Sequence, residues 1–327
     1  LQILYCLRTQ ISELDVTNNK NLIFLRCNDT EIEELNIVNC DNLSQLYCNT
    51  TNIKKLEPIN CRKLSNLECS KTDISNLDLT NNIELTYLSC HNSNISKLDV
   101  SNNTKIQTLY CYEMKDLSDI DVKMNKDLVD FRCDSTSISS LDVTNNLKLE
   151  KLQCQKTEIE DLVLYKNENL VSLDCNTTKI KNIDVSKNLK LTKLICSSNE
   201  IKEIDVTKNI ELLELQCEST DIENLNLVNN NKLNKLHCFS NKKINKLNIE
   251  NNLELTDLRF NLTLIRDLDL SKHTKLERLE CGGTLMNNVD VTNNLELNYL
   301  SCKNLGIKEL DVTKNKKLSK LHISSNK

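Results

Sequence analysis

The sequence predicts a repeat solenoid, and three observations lead to that prediction. One apolar residue, almost always cysteine, returns every 21 or 22 residues along the chain. Around it stands the same pattern, Leu-x-x-Leu-x-Cys followed by Leu-Asp-Val-Thr-Asn-Asn or a close variant. With three glycines and one proline in the whole chain, no flexible seam interrupts the series. A fixed period of roughly 20 to 50 residues is typical of stacked coils that bury their apolar faces only against their neighbours.

The segment that leads into each cysteine is predicted to be a β-strand. Leu46 and Cys48 alternate with Gln45, Tyr47 and Asn49, and a period of two is typical of a strand with one buried face. Because every repeat alternates in the same way, we expect the strands to stack in register as one long parallel sheet. The inward ladder comprises Cys6, Cys27, Cys48, Cys69, Cys90, Cys111, Cys133, Cys154, Cys175, Cys196, Cys217, Cys238, Phe260, Cys281, Cys302 and Ile323.

The rest of each coil is predicted from polar residues in fixed positions. A threonine such as Thr51 ends the strand, because a short polar side chain can bond the turning backbone. The return segment is too short for an α-helix, so we expect extended chain or a single 3₁₀ turn. Its aspartate, such as Asp99, is predicted to accept from backbone amides two residues on; a cation between stacked aspartates is the alternative. The Asn-Asn pair, as in Asn81 and Asn82, is predicted to turn the chain in a left-handed conformation.

The ladder cysteines are predicted to be buried structural thiols, since cysteine in a core behaves as a small hydrophobe. No Cys-x-x-Cys spacing indicates zinc. Cys40 and Cys61 differ, because they replace the second asparagine of the turn in consecutive repeats. At a mobile edge, with a Cα spacing of about 5 Å, they are a candidate disulfide. The alternative is two partly exposed thiols in contact.

The repeat resembles the leucine-rich repeat in a short bacterial form that carries cysteine at the third inward position. Leu85-x-x-Leu88-x-Cys90 with Leu98-Asp-Val-Ser-Asn-Asn103 is a close instance. The sequence departs from the pattern at Phe260 and Ile323, which replace the cysteine, and at Lys115–Asp116 and Lys242–Lys243, where one residue is added after the strand. The resemblance implies a horseshoe with the sheet on its concave face. It also implies the role of internalin-like bacterial surface proteins that bind partner proteins; a secreted or cell-surface location is favoured by the resemblance only.

The domain prediction is one solenoid of about 16 repeats over residues 1–327, without caps and therefore a fragment of a longer protein. The net charge of −5 is spread along the chain, with no basic run. This distribution argues against nucleic acid as a partner. No apolar run approaches the roughly 18 residues that span a bilayer, so we expect no membrane insertion of this segment.

Outward strand positions hold most of the aromatic side chains, and these are concentrated in the first six repeats. Strand propensity alone favours some of this enrichment, but not its bias toward one end. Exposed aromatic residues near arginine are typical of interface hot spots. The later repeats carry charges of alternating sign at these positions. The predicted binding residues are Tyr5, Phe24, Arg26, Tyr47, Tyr87, His91, Tyr110 and Tyr112.

The sequence therefore predicts a non-enzymatic scaffold that binds a protein through the concave sheet face. No catalytic residue, metal site or cofactor is predicted, because no nucleophile shares a pocket with the histidines; Cys238, next to His237, points inward. Carbohydrate recognition is an alternative, since aromatic side chains also stack on sugar rings. A passive spacer within a larger surface protein is a second alternative.

Overall fold

The structure is a computed structural model that describes residues 1–326. It divides into two compact units, Leu1–Asn167 and Glu168–Lys327. Each unit is a series of stacked coils, and each is described by itself below. The single solenoid over residues 1–327 stays a prediction.

The first unit contains a parallel sheet made of one three-residue strand from each coil. These strands are β1 (Ile3–Tyr5), β3 (Phe24–Arg26), β5 (Gln45–Tyr47), β6 (Asn66–Glu68), β7 (Tyr87–Ser89), β8 (Thr108–Tyr110), β9 (Asp130–Arg132) and β10 (Lys151–Gln153). They pair without any shift in register: Tyr5 lies beside Arg26, and Arg26 beside Tyr47. Two return segments form a second, small sheet from β2 (Glu13–Asp15) and β4 (Glu34–Asn36), and a 3₁₀ turn covers Pro58–Asn60.

The second unit repeats the same arrangement. Its strands are β11 (Ser172–Asp174), β12 (Lys193–Ile195), β13 (Glu214–Gln216), β14 (Lys235–His237), β15 (Asp257–Arg259), β16 (Arg278–Glu280), β17 (Tyr299–Ser301) and β18 (Lys320–His322). Within the described residues of both units no α-helix is present. The extended return segments and the parallel sheet confirm the predicted fold class.

The core of each coil consists of leucine, isoleucine, valine and cysteine. The ladder residues Cys27 to Cys302 are buried, as are Phe131 and Phe260, whereas Cys6 is half-buried and Ile323 is exposed. Burial raises the pKa of the Cys48 and Cys69 thiols well above the ordinary value. These side chains act as apolar packing rather than as nucleophiles.

The turn after each strand depends on the predicted threonine. Thr51 Oγ1 donates to the carbonyl oxygen of Cys48 at 2.8 Å, and Thr72 does the same to Cys69 at 2.8 Å. The left-handed residue, however, is the one just before this threonine, for example Thr50 with a φ of 54°. The prediction of left-handed backbone at the Asn-Asn pair is wrong.

The second asparagine of each pair is instead a buried ladder residue. Asn146 Nδ2 donates to the carbonyl oxygens of Val122 and Asn125, 24 and 21 residues earlier, at 2.9 and 2.8 Å. In the second unit Asn209 Nδ2 donates to Val185 and Asn188 at 3.0 and 2.9 Å. A side-chain amide therefore satisfies backbone carbonyls that the coil turns into its interior.

Cys40, Cys61 and His273 occupy the same ladder position. Both thiols are fully buried, so the expectation of a mobile, partly exposed edge is wrong. Cys40 Sγ lies 3.8 Å from the carbonyl oxygen of Val16, and Cys61 Sγ lies 3.8 Å from that of Ile37. In this structure both are free thiols, and their oxidation to a disulfide stays a prediction.

The aspartates of the return segment bond to the backbone two residues on, as predicted. Asp78 Oδ1 accepts from the backbone N–H of Thr80 at 3.0 Å and from its hydroxyl at 2.7 Å. Asp142 and Thr144 repeat this geometry. The aspartate position is therefore a local turn motif.

Candidate functional site

The outward positions of the first unit's strands bring the predicted binding residues into two groups. In-register stacking places residues of neighbouring coils about 4.8 Å apart. Side chains at equivalent positions therefore form rows, and diagonal neighbours also come within reach. Strand β6 (Asn66–Glu68) carries no aromatic residue and separates the two groups.

The first aromatic cluster comprises Tyr5, Phe24 and Tyr47 with Arg26. The ring centroids of Tyr5 and Phe24 are 5.0 Å apart, and those of Phe24 and Tyr47 are 5.6 Å apart. Arg26 Cζ lies 5.6 Å from the Tyr47 ring, and its Nε donates to Asn28 Oδ1 at 3.0 Å. Tyr5 remains 60% exposed.

The second aromatic cluster comprises Tyr87, Tyr110, Tyr112 and His91. Tyr87 and Tyr110 are diagonal neighbours, as predicted, and meet edge to face with centroids 6.0 Å apart. Tyr112 stacks on His91 at a centroid distance of 4.0 Å, and its Oη is 3.0 Å from His91 Nε2. All four side chains are half-buried, so each is partly open to solvent.

Arg132 completes the second cluster, although the sequence assigned it to the charged face of the later repeats. Its Cζ lies 4.4 Å from the Tyr112 ring and 5.5 Å from the Tyr110 ring. Tyr112 is thus held between an imidazole and a guanidinium. Arg132 is the in-register partner of Tyr110 on the next strand, and that equivalent position in the repeat is the signal that could have identified it.

The second cluster shifts the pKa of its own groups. Burial, aided by the charges of Lys71 and Arg132, lowers the pKa of His91 to about 4. Burial, together with the Asp130 carboxylate, raises the pKa of Tyr110 to about 12. Tyr110 Oη donates to Asp130 Oδ2 at 3.1 Å. Both side chains are neutral at neutral pH, which suits rings that pack and stack rather than exchange protons.

The same positions in the second unit are occupied by paired charges. Glu214 lies 3.6 Å from Lys193 and 2.9 Å from Lys235. Further along, Arg278 contacts Glu280 at 2.6 Å and its Cζ lies 3.8 Å from the Tyr299 ring. These charges are paired within the face, whereas Glu218 Oε2 on the same face is buried without a hydrogen-bond partner among the described residues.

His237 is the most enclosed titratable group of that face. It is 4% exposed, and its Nε2 is 3.2 Å from Asp257 Oδ2. Burial acts to raise the pKa of Asp257, but the close approach of His237 and the hydrogen bonds from Arg259 outweigh it and hold that pKa well below the usual range. Cys238 is buried in the ladder, so the pair has no adjacent nucleophile on the outward face.

Residues 1–326 were also compared with the requirements of a metal site and of a membrane-spanning helix. No group of three or more histidine, cysteine, aspartate or glutamate side chains is arranged to hold a metal ion. Within the same residues, no helix has the length and apolar character to cross a membrane.

Comparison with known proteins yields structural rather than sequence-family matches. No protein-family model and no curated protein sequence matches the chain. The functional domain of InlJ from Listeria monocytogenes, which includes a cysteine ladder, is 32% identical with a TM-score of 0.87, covering 89% of this chain and 65% of that one. This chain thus spans just under two thirds of the InlJ domain.

Two further solved structures share the fold at lower identity. The internalin InlF from Listeria monocytogenes is 22% identical, with a TM-score of 0.71 over 89% of this chain and 83% of that one. The leucine-rich-repeat protein LIC12759 from Leptospira interrogans is 18% identical, with a TM-score of 0.71 over 90% and 76%. Each unit is therefore a stack of leucine-rich-repeat coils with a cysteine ladder, and the chain is similar in structure to internalins and other bacterial leucine-rich-repeat proteins, as its repeat predicts.

Proposed function

We propose that this chain is a non-enzymatic scaffold that recognises a partner protein through the outward strand face of its first unit. The observation that carries the proposal is the pair of aromatic clusters on that face, whose rings stay partly open to solvent. The leucine-rich-repeat fold of the chain and its similar structures supports such a role in general. A secreted or cell-surface location belongs to the same proposal.

The rings of the second cluster are suited to binding because they are already ordered. Tyr87, Tyr110 and Tyr112 contact one another or His91 and Arg132, so little side-chain entropy remains to be lost on association. Large, pre-positioned tyrosines near arginine are the residues that dominate interface energies. Two such tyrosines together contribute about 2 kcal/mol or more, which is roughly a thirtyfold change in affinity.

The test is a comparison of binding variants. Proteins retained by the immobilised chain are identified, produced in pure form and titrated by calorimetry. Tyr87→Ala with Tyr110→Ala is expected to weaken binding by at least about tenfold while leaving the circular dichroism spectrum unchanged. The matched control is Tyr165→Ala, because Tyr165 is an exposed tyrosine outside the strands. A partner that binds all three proteins equally would rule out this face.

Carbohydrate recognition is the second candidate, favoured by the open tyrosine rings of the two clusters. A glycan array probed with the wild-type chain separates the two functions. Hits that disappear in the Tyr87→Ala, Tyr110→Ala variant support the sugar as ligand, and an array without hits removes it. A spacer role is supported if neither unit's strand face binds protein or glycan. Nucleic acid stays outside the proposal because of the net charge of −5.

A further inference from the structure

Glu68 lies on the strand that separates the two aromatic clusters. In the register of the sheet it pairs with Tyr47 on one side and Ser89 on the other, while Tyr87 pairs with Asn66. Ser89 is short and buried. The longer tyrosines therefore stand on either side of the carboxylate, one coil away in each direction.

No counter-ion within residues 1–326 contacts the carboxylate of Glu68. The structure shows neither a hydrogen bond nor an ion pair of its oxygens, although the side chain is half-buried. Burial raises the pKa of Glu68, an effect that Arg26 opposes and Asp29 increases. Arg26 does not form an ion pair with Glu68, because its Nε donates to Asn28 and its guanidinium lies near the Tyr47 ring.

Other outward glutamates show what this fold does when a carboxylate needs a counter-ion. Glu280 receives Arg278 from two residues earlier on the same strand, and Glu214 receives Lys235 from the next strand. The corresponding position two residues before Glu68 is Asn66, which carries no charge. An ionised carboxylate withdrawn from water without a partner lowers the stability of the fold, so Glu68 is better suited to a ligand than to folding.

The aromatic neighbours identify the ligand's chemistry. Tyrosine rings of these strand faces already accept guanidinium groups at short distance, Arg132 on Tyr112 and Arg278 on Tyr299. The charge of Glu68 reaches Tyr87 and Tyr112, where it adds to the effect of burial on the pKa of both phenols. A carboxylate flanked by open tyrosines combines ion pairing with cation–π attraction. Anionic and neutral ligands lack both interactions.

We infer that Glu68, with Tyr47 and Tyr87 beside it, receives an arginine or lysine side chain of the partner protein. The inference rests on the proposed function and names the partner chemistry that its site takes. The guanidinium or ammonium group pairs with the Glu68 carboxylate while the alkyl stem lies between the two clusters. The tyrosines then contribute packing, and Glu68 contributes the preference for a cation.

A titration without any partner tests the pocket directly. The probes are N-acetyl-arginine methylamide and N-acetyl-lysine methylamide, followed through the ring signals of Tyr47 and Tyr87 by NMR, with N-acetyl-norleucine methylamide as the neutral control. We expect saturable shifts for the two cations, with dissociation constants on the order of millimolar, and none for norleucine. Equal shifts with norleucine overturn the inference.

Three variants sharpen the titration. Glu68→Gln is expected to weaken binding of the arginine probe about tenfold. Asn66→Arg is expected to do so as well, because it supplies an internal partner in the manner of Arg278 and Glu280. Glu214→Gln removes an already paired glutamate and leaves binding unchanged. Undiminished binding in both Glu68→Gln and Asn66→Arg overturns the inference.

The two proposals fail in different ways. A partner that requires Tyr87 and Tyr110 but tolerates Glu68→Gln contradicts the cation pocket and leaves the protein-binding face intact. Binding of the arginine probe that depends on Glu68, combined with a partner indifferent to Tyr87 and Tyr110, contradicts the proposed face alone.

Discussion

The two units differ on the outward face of their strands and agree in their interior. The first unit presents tyrosines and an unpaired carboxylate, Glu68, whereas the second presents glutamates and an aspartate held by lysine, arginine and histidine. Both bury the same leucine and cysteine ladders and the same asparagine row. The interior residues are thus fixed by the packing of the coils, and the outward residues can vary and serve a function.

The two units also differ in whether a partly buried carboxylate of the outward face has a counter-ion. Asp257 of the second unit and Glu68 of the first are both partly withdrawn from water, and burial raises the pKa of each. Of the two, only Asp257 has partners that reverse this effect, namely hydrogen bonds from Arg259 and the nearby His237 ring. Paired carboxylates such as Asp257 and Glu214 have less to gain from a charged ligand, because they already have counter-ions.

The largest expected effect tests whether the buried asparagine row stabilises both units in the same way. Asn146→Ala and Asn209→Ala each remove an amide that donates to two buried carbonyls. Each is expected to lower the free energy of unfolding by about 2–3 kcal/mol, because the carbonyls lose their donors. Urea unfolding measures the loss. The matched control is Asn145→Ala, whose amide makes one long contact of 3.4 Å with Lys123 at the surface; an equal loss there, or a loss in only one unit, would contradict the shared ladder.

A smaller effect is expected on the free energy of unfolding, to which Asp257 and Glu68 contribute differently as the pH is lowered. The folded-state pKa of Asp257 is depressed, so its stabilisation is present above the unfolded value of about 3.9 and is lost as the pH falls through the folded value. For Glu68 the folded-state pKa is raised, so its ionised form destabilises at neutral pH and protonation relieves this as the pH falls. After allowance for solvent screening each contribution is about 1 kcal/mol or less.

Thermal unfolding from pH 7 down to about pH 2, a range that extends below the ordinary carboxyl pKa values, follows the Glu68 contribution and the onset of the loss of the Asp257 contribution. Asp257→Asn is expected to lower the midpoint at neutral pH and to flatten its decline in acid. Glu68→Gln is expected to raise the midpoint at neutral pH. A rise of the midpoint in Asp257→Asn, or a fall in Glu68→Gln, would contradict the described difference between the two carboxylates.

The smallest effect is spectroscopic and concerns the second aromatic cluster. The His91 ring is expected to titrate near a pKa of about 4 in an NMR experiment, because it is buried and lies near Lys71 and Arg132. Arg132→Ala removes one of these cations, so the pKa of His91 should move upward toward its ordinary value of about 6.5. Lys151→Ala, which removes an exposed lysine of the next strand, serves as the control. An unchanged midpoint in Arg132→Ala would place the guanidinium away from the ring pair.

Much of the fold could be predicted because its causes are local. Thr51 bonds Cys48 three residues back, and Asp78 bonds Thr80 two residues on, so each motif is contained in one coil of sequence. The row of tyrosines followed from strand alternation for the same reason. Their role in binding remains a prediction, since strand periodicity places side chains outward without naming what they contact.

The repeat by itself determined the coil, the inward ladder and the outward rows, because alternation and short-range turns are properties of neighbouring residues. Tertiary structure decided which turn residue became left-handed, why Cys40 and Cys61 are buried, and that Tyr112 stacks between His91 and Arg132. Those outcomes depend on groups in adjacent coils, such as Tyr112 and His91, which are 21 residues apart. Only stacking brings such groups together, and their contacts then outweigh the local preference of any single residue.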